Sequence, residues 1–165
     1  MAEAAPALTV RLDPDTDFAS AIYGQVLASA SVVALSRHDE APMEIVAGVA
    51  ATMLVFWLAH VYAEAISRSV ARDDRARELR HIAASEWPMV QAALPAVVAL
   101  TLAALGLWSR EAGITIALAL GVVELGAWGT AAGRRAGRSQ SRALLGGLSC
   151  AAFGLLIIVL KVLIH

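Results

Sequence analysis

Four polar side chains lie inside long apolar stretches of this sequence and could together relay a proton or hold a small cation: Gln25, His60, Glu64 and Glu124. His60 and Glu64 stand four residues apart in FWLAHVYAEAI (56–66), so on a helix they share one face. Histidine changes charge near neutral pH, and a neighbouring carboxylate can exchange a proton with it. The residue types therefore indicate proton or cation chemistry in an apolar environment.

The sequence around these residues is typical of a membrane protein. Of its 165 residues, 59% are hydrophobic and 16% are charged, which is more apolar than a soluble domain of this length. Apolar segments recur at lengths near 20 residues, and at about 1.5 Å per residue each matches a hydrocarbon layer of about 30 Å. The prediction is an all-α transmembrane helix bundle with five crossings: 18–36, 43–66, 89–108, 112–133 and 143–164.

The first segment is the weakest of the five, because hydroxyl and amide side chains interrupt it. That pattern suits a helix that faces other helices rather than lipid, and without this segment the count would be four. A signal peptide is not indicated, because acidic residues outnumber Arg11 in the stretch before it. We expect a short acidic N-terminal segment, 1–17, followed by a single transmembrane domain, 18–165.

Basic residues are distributed unevenly between the loops. One alternate set of loops holds ten of the 13 Lys and Arg residues and the other set holds three. Positive charge favours the cytoplasmic side, which predicts a cytoplasmic N-terminus and places the charged connector at about 67–86 in the cytoplasm. This connector would either extend the second helix or lie along the membrane surface, and its arginines would either fix orientation or bind lipid or a partner.

The third segment carries features of its own. Trp87 and Trp108 are 21 residues apart. A helix of that length is about 31 Å long and would place one tryptophan at each interface. Pro88 fits the first turn with Ser85 as its cap, and Pro95 should bend the helix because proline lacks the amide hydrogen.

With this topology, Gln25, His60 and Glu124 lie at a similar depth in the cytoplasmic half of three different helices. The sequence therefore predicts a channel or transporter for protons or small cations. Its ion pathway would be lined by Gln25, His60 and Glu124, with Glu64 at the cytoplasmic mouth. The alternative is a non-catalytic accessory or scaffold membrane protein that acts through helix–helix association.

Each of these residues also has a structural interpretation. Glu64 has Arg68 four residues later, and an ion pair at the interface would explain it. His60 could bond a backbone carbonyl or Gln25 and so join two helices. Glu124 is the hardest to explain by packing, because a charge near the middle of a bilayer costs about 2.5–3.5 kcal/mol and needs a partner, water or a proton.

Other chemistries find little support in the sequence. A haem with two histidine ligands would need a second histidine at the depth of His60, and a metal site would need His60, Glu64 and Glu124 together. No Ser or Cys nucleophile is flanked by a recognisable base, and Cys150 is the single cysteine, which excludes an intrachain disulfide. We expect no enzymatic activity, no cofactor and no nucleic-acid partner.

Small residues are spaced so that helices could approach closely. They recur every four residues on the first helix and around the fourth: Ser20, Gly24 and Ala28; Ala117 and Gly121; Gly129, Gly133 and Gly137. The expected architecture is a tight bundle in membrane lipid that forms a homo-oligomer or binds a membrane-protein partner.

Four short stretches are similar to a known group: YGQVLASA (23–30), FWLAHVYA (56–63), SEWPMV (85–90) and LKVLIH (160–165). Across most of its length the chain resembles uncharacterised small multi-pass integral membrane proteins of high-GC, actinobacterial-type bacteria. The resemblance implies a location in the cytoplasmic (inner) membrane and brings no activity with it.

Overall fold

The computed structural model describes residues 14–37, 40–67 and 75–163, and within these ranges the chain forms helices and no strands. The helices, in chain order, are α1 (Pro14–Leu35), α2 (Pro42–Ser67), α3 (Arg75–Ser85), α4 (Trp87–Gln91), α5 (Leu94–Ala104), α6 (Arg110–Arg135) and α7 (Gln140–Leu163). The predicted all-α fold is confirmed.

Among the described residues, four helices are long and apolar enough to cross a membrane: α1, α2, α6 and α7. The stretches Ala76–Gln91 and Leu94–Ala104 pass the same test only as a pair, bent by 48° at a short break. Counting this pair as one crossing gives five. The third predicted segment, 89–108, is therefore two helices joined at an angle.

The continuous helix predicted between Trp87 and Trp108 is wrong. The helix is interrupted after Gln91, and α5 ends at Ala104. Trp108 lies beyond that end, and its Nε1 donates back to the Ala99 carbonyl at 3.2 Å. Pro95 interrupts the helix, and Gly106, with a φ of 79°, ends α5 before Trp108 is reached.

Helix α1 lies inside the bundle, packed against α2, α4, α6 and α7. Of its spanning window 44% is buried, against 17% for α2 and for α7. This confirms that the polar first segment faces other helices, because its side chains find protein partners there. The outer faces of α2 and α7 carry exposed apolar side chains, including Leu58, Tyr62, Leu148 and Phe153.

Two sets of contacts identify the ends of the bundle. Phe18 of α1 packs edge-on against Trp128 of α6, with centroids 5.8 Å apart, and the Arg135 guanidinium stacks 4.9 Å above the Phe18 ring. We call this the Phe18 end. At the opposite end, named after Arg110, the Arg110 side chain donates to the carbonyl oxygens of Glu40 (2.8 Å) and Ser36 (3.1 Å). Helices α1 and α6 are thus antiparallel.

The charged connector leads into the third crossing. Helix α3 continues almost directly into α4, with Glu86 between them, and Ile82 is fully buried. The predicted cap role of Ser85 is wrong: its hydroxyl donates to the Ile82 carbonyl at 2.9 Å, and the residue before α4 is Glu86. A serine at the end of a helix can bond a carbonyl of the last turn of that helix. Its hydroxyl then does not cap the helix that follows. Residues 68–74 of the connector lie outside the described residues.

Candidate functional site

The bend predicted at Pro95 is present, and it creates the site. Helix α4 ends at Gln91 and α5 begins at Leu94 with Pro95 in its first turn. Proline has no amide hydrogen and its ring clashes with the carbonyl four residues earlier, so the helical ladder cannot run through this point. The helical hydrogen-bond pattern resumes at Val97, whose backbone amide donates to the Ala93 carbonyl oxygen at 3.0 Å. The Ala92 carbonyl, one residue earlier, is contacted by a side chain.

That side chain is Gln25, which lies at the centre of the bundle. It is fully buried, and its amide faces two oxygens, one from the Glu124 carboxyl and one from the Ala92 backbone. Only the amide nitrogen can donate, so the hydrogen-bond partners fix its orientation. Nε2 donates to Glu124 Oε2 at 2.9 Å and to the Ala92 carbonyl oxygen. We call Gln25, Glu124 and the Ala92 carbonyl the Gln25 cluster.

The walls of the Gln25 cluster hold the amide in place. In this orientation the side-chain oxygen of Gln25 lies 3.4 Å from Ser29 Oγ, one turn along α1. A Cβ on Gly121 of α6 would come within 2.5 Å of the Gln25 amide and 2.7 Å of Ser29 Oγ. The missing side chain of Gly121 therefore provides the space that Gln25 occupies beside Glu124.

A second group of polar residues lies nearer the Phe18 end, around an open cleft of about 240 Å³. We call it the His60 cleft, and it is lined by Ala19, Ser20, Tyr23, His60, Glu86 and Met89. Glu86 is only 8% exposed, and its Oε2 accepts a hydrogen bond of 2.8 Å from Ser20 Oγ. A carboxyl group removed from water requires polar partners. Glu86 has the Ser20 hydroxyl as a partner, and it also borders the open cleft.

The His60 ring contacts the backbone of its own helix and the ring of Tyr23. Its Nδ1 lies 3.0 Å from the carbonyl oxygen of Phe56, one turn earlier on α2. A carbonyl oxygen only accepts, so this contact assigns the hydrogen of the neutral ring to Nδ1. The ring leans on Tyr23, with centroids 5.2 Å apart. His60 therefore contacts a carbonyl of its own helix, rather than joining two helices as its structural interpretation predicts, and it also lines the cleft.

The His60 cleft and the Gln25 cluster are successive layers of the same bundle. Along α1, Gln25 follows Ser20 by five residues, which is about 7–8 Å of helix. Gly24 lies on α1 directly before Gln25, and Met89 lies on α4. Met89 is fully buried, and a Cβ on Gly24 would collide with the Met89 backbone. We call this close approach the Gly24–Met89 contact, and Met89 also lines the His60 cleft.

The structure thus divides the residues predicted for the pathway. Gln25 and Glu124 are in contact, as the predicted cluster required, whereas His60 lies against Tyr23 in the other layer. Glu64 is one turn beyond His60 on α2 and is partly buried. Its predicted partner, Arg68, lies outside the described residues.

Glu86 and the Ala92 carbonyl are the functional groups that sequence reasoning missed. Glu86 falls among the charges of the connector, and its burial depends on Ser20 of another helix. The signal that could have found it is its position directly before Trp87-Pro88, a typical helix start. The Ala92 carbonyl could have been suspected from Pro95, which disrupts the hydrogen bonds of the preceding turn.

In the part of the chain that the structure describes, no three His, Cys, Asp or Glu side chains are grouped so that they could hold a metal ion. No family model, no curated protein and no solved structure matched this chain in comparison.

Proposed function

We propose that the chain is a five-crossing protein of the bacterial cytoplasmic membrane that conducts protons or small cations, with its N-terminus in the cytoplasm. The ion pathway would use Gln25, His60 and Glu124, with Glu64 at its mouth. We add Glu86 to this pathway because it lines the same cleft as His60. The observation that carries this proposal is the His60 cleft, where a buried carboxyl and a titratable imidazole line one opening. Carboxyl and histidine groups at such depth are typical of proton relays.

The orientation of the bundle follows from its charges. Arg134, Arg135, Arg138 and Arg142 surround the α6–α7 turn, at the same end as Phe18. An excess of arginine marks the cytoplasmic side, so the His60 cleft would open toward the cytoplasm. The bent pair α4–α5 would then be the third crossing, with its break inside the membrane, where irregular backbone is tolerated if protein surrounds it.

Broken helices support transport because they place backbone carbonyls and side chains at the same depth. Here the break presents the Ala92 carbonyl to Gln25, and Gln25 also binds the Glu124 carboxyl. A proton entering from the cleft would reach Glu124 when the Gly24–Met89 contact opens. The gate would therefore be the packing of α1 on α4.

Hydrogen bonding favours the proton over a metal cation. In the orientation assigned to the Gln25 amide from its hydrogen-bond partners, the nitrogen faces Glu124 and the Ala92 carbonyl. A metal cation would need these oxygens free as ligands and would be repelled by the positive end of an N–H group. A proton on the other oxygen of Glu124 leaves both bonds of Gln25 intact.

The test is proton flux in liposomes that contain the purified protein and a pH-sensitive dye, driven by a potassium diffusion potential. We expect Glu124→Gln and His60→Ala to lower the flux roughly tenfold or more, because a positioned proton carrier is lost. Glu86→Gln should act similarly. The matched control is Glu111→Gln, an exposed carboxyl in the first turn of α6, and it should leave the flux unchanged.

The outcome that contradicts the proposal is equal flux in wild type, Glu124→Gln and His60→Ala, each shown to be folded by circular dichroism and gel filtration.

One observation favours the accessory or scaffold alternative. The bonds of Gln25 satisfy Glu124 and Ala92 within the protein and join three elements, as polar groups between membrane helices commonly do. In that case Glu124→Gln would lower the stability of the bundle and no variant would change proton flux. One membrane polypeptide would also co-purify in a fixed ratio.

A further inference from the structure

We propose that the cleft beside the α6–α7 turn binds an anionic phospholipid through its phosphate group. This cleft has a volume of about 450 Å³ and is lined by Arg138, Arg142, Leu145, Gly146 and Ser149. It lies on α7, away from both layers of the candidate pathway, so the inference does not depend on ion conduction. We call it the Arg138 cleft.

Two arginines four residues apart, Arg138 and Arg142, line the cleft at its end nearest the α6–α7 turn. Arginine presents several N–H donors in a planar array that matches the oxygens of a phosphate. Arg138 lies in the turn between the helices and Arg142 in the first turn of α7. Because both line the same cleft, one phosphate group can contact both side chains.

The backbone holds these two arginines in a fixed relation. Gly137 adopts φ of 69°, a left-handed conformation that glycine accepts readily, and this closes the turn after α6. The Arg138 amide then donates to the Gly133 carbonyl at 3.1 Å, and the Ala143 amide donates to the Ser139 carbonyl at 2.9 Å. The turn is thus bonded to both helices.

Away from the two arginines the cleft is apolar. Leu145 and Gly146 line it, and the Ser149 hydroxyl donates to the Leu145 carbonyl at 3.0 Å, which turns its hydrogen back to its own helix. From Arg142 to Ser149 the helix rises about 10 Å, within the apolar stretch Gln140–Val159. An occupant that fits has an anionic group at the two arginines and an apolar body beyond it. That is a phospholipid rather than free phosphate.

The test is native mass spectrometry of the full chain in detergent, titrated in turn with phosphatidylglycerol, phosphatidylcholine and inorganic phosphate. We expect one phosphatidylglycerol to bind more tightly than phosphatidylcholine, because the latter carries a compensating cation. Replacing both arginines, Arg138→Gln with Arg142→Gln, should weaken phosphatidylglycerol binding roughly thirtyfold, on the basis of about 1 kcal/mol for each charge. Leu145→Trp, at an exposed position, fills the cleft while keeping both arginines and should weaken binding as well.

The matched control removes two exposed arginines from α3, Arg77→Gln with Arg80→Gln, and should change the affinity less than about threefold. If both double variants lost the same phosphatidylglycerol affinity, the lipid would be attracted to the basic surface as a whole. That result would overturn the proposal. Binding of inorganic phosphate that depends on Arg138 and Arg142, without binding of phosphatidylglycerol, would overturn the assignment to lipid. All variants are compared at equal helix content by circular dichroism.

Discussion

Replacing Gln25 by leucine tests whether the Gln25 cluster holds the bundle together. Leucine has a similar volume but no hydrogen-bonding group, so the change removes the donor to Glu124 Oε2 and to the Ala92 carbonyl while keeping the packing. Gln25 is fully buried and Ala92 nearly so, and a buried polar group left unpaired is costly.

The size of the effect follows from the number of bonds lost. Hydrogen bonds between membrane helices contribute about 0.6 kcal/mol on average and up to about 1.7 kcal/mol. Two bonds, one of them to a carboxyl group, give an expected loss of about 1–3 kcal/mol in the free energy of unfolding. The matched control is Gln91→Leu, on an exposed position of α4 next to the same break, which should cost less than about 0.5 kcal/mol.

The assay is reversible unfolding in mixed micelles, followed by circular dichroism, for a double-mutant cycle. The cycle combines Gln25→Leu with Glu124→Met, which removes the carboxyl but keeps a long side chain. If the two residues are bonded, their coupling should be about 0.5–1.5 kcal/mol. Such cycles resolve about 0.3 kcal/mol. A coupling between Gln25 and Glu124 that is smaller than this would refute their contact and the position of Glu124 in the cluster.

Two further predictions concern packing and topology. Gly24→Ala should lower stability by about 1–3 kcal/mol, because the new Cβ meets the Met89 backbone. Gly48→Ala should cost less, since its Cβ meets only the flexible end of a leucine side chain. Equal thermal midpoints for these two variants would contradict the close approach of α1 and α4. Alkaline phosphatase fused to the C-terminus should be active, and a fluorescent protein fused to the same end should not fluoresce. The reason is that five crossings from a cytoplasmic N-terminus place the C-terminus outside the cytoplasm. The reverse result would contradict the proposed topology.

Much of the fold could be predicted because its causes are local. The length and apolarity of α1, α2, α6 and α7 are properties of consecutive residues, and the bounds agree with the predicted segments to within a few residues except at the N-terminal end of α1. The break at Pro95 also has a local cause, because the missing amide hydrogen belongs to that residue. The interior position of α1 also followed from its own polar side chains.

The candidate site could be predicted only in part, because contacts between helices depend on how each is rotated about its axis. Sequence placed Gln25, His60 and Glu124 at one depth, and packing then paired Gln25 with Glu124 and turned His60 toward Tyr23. Glu86 lies at the end of the charged connector, and nothing in its sequence neighbours predicts that it is buried. It became a buried carboxyl because Ser20 of α1 lies opposite it.

The sequence by itself determined that this chain forms helices of membrane-spanning length, where one of them breaks, and which few polar groups each contains. Hydropathy, helix length and the chemistry of proline act within one segment, so they can be calculated without neighbours. Only the tertiary structure decided which groups meet: the amide of Gln25 with the carboxyl of Glu124, and the hydroxyl of Ser20 with Glu86. Those contacts depend on small residues such as Gly24 and Gly121, whose missing side chains determine how closely the helices approach.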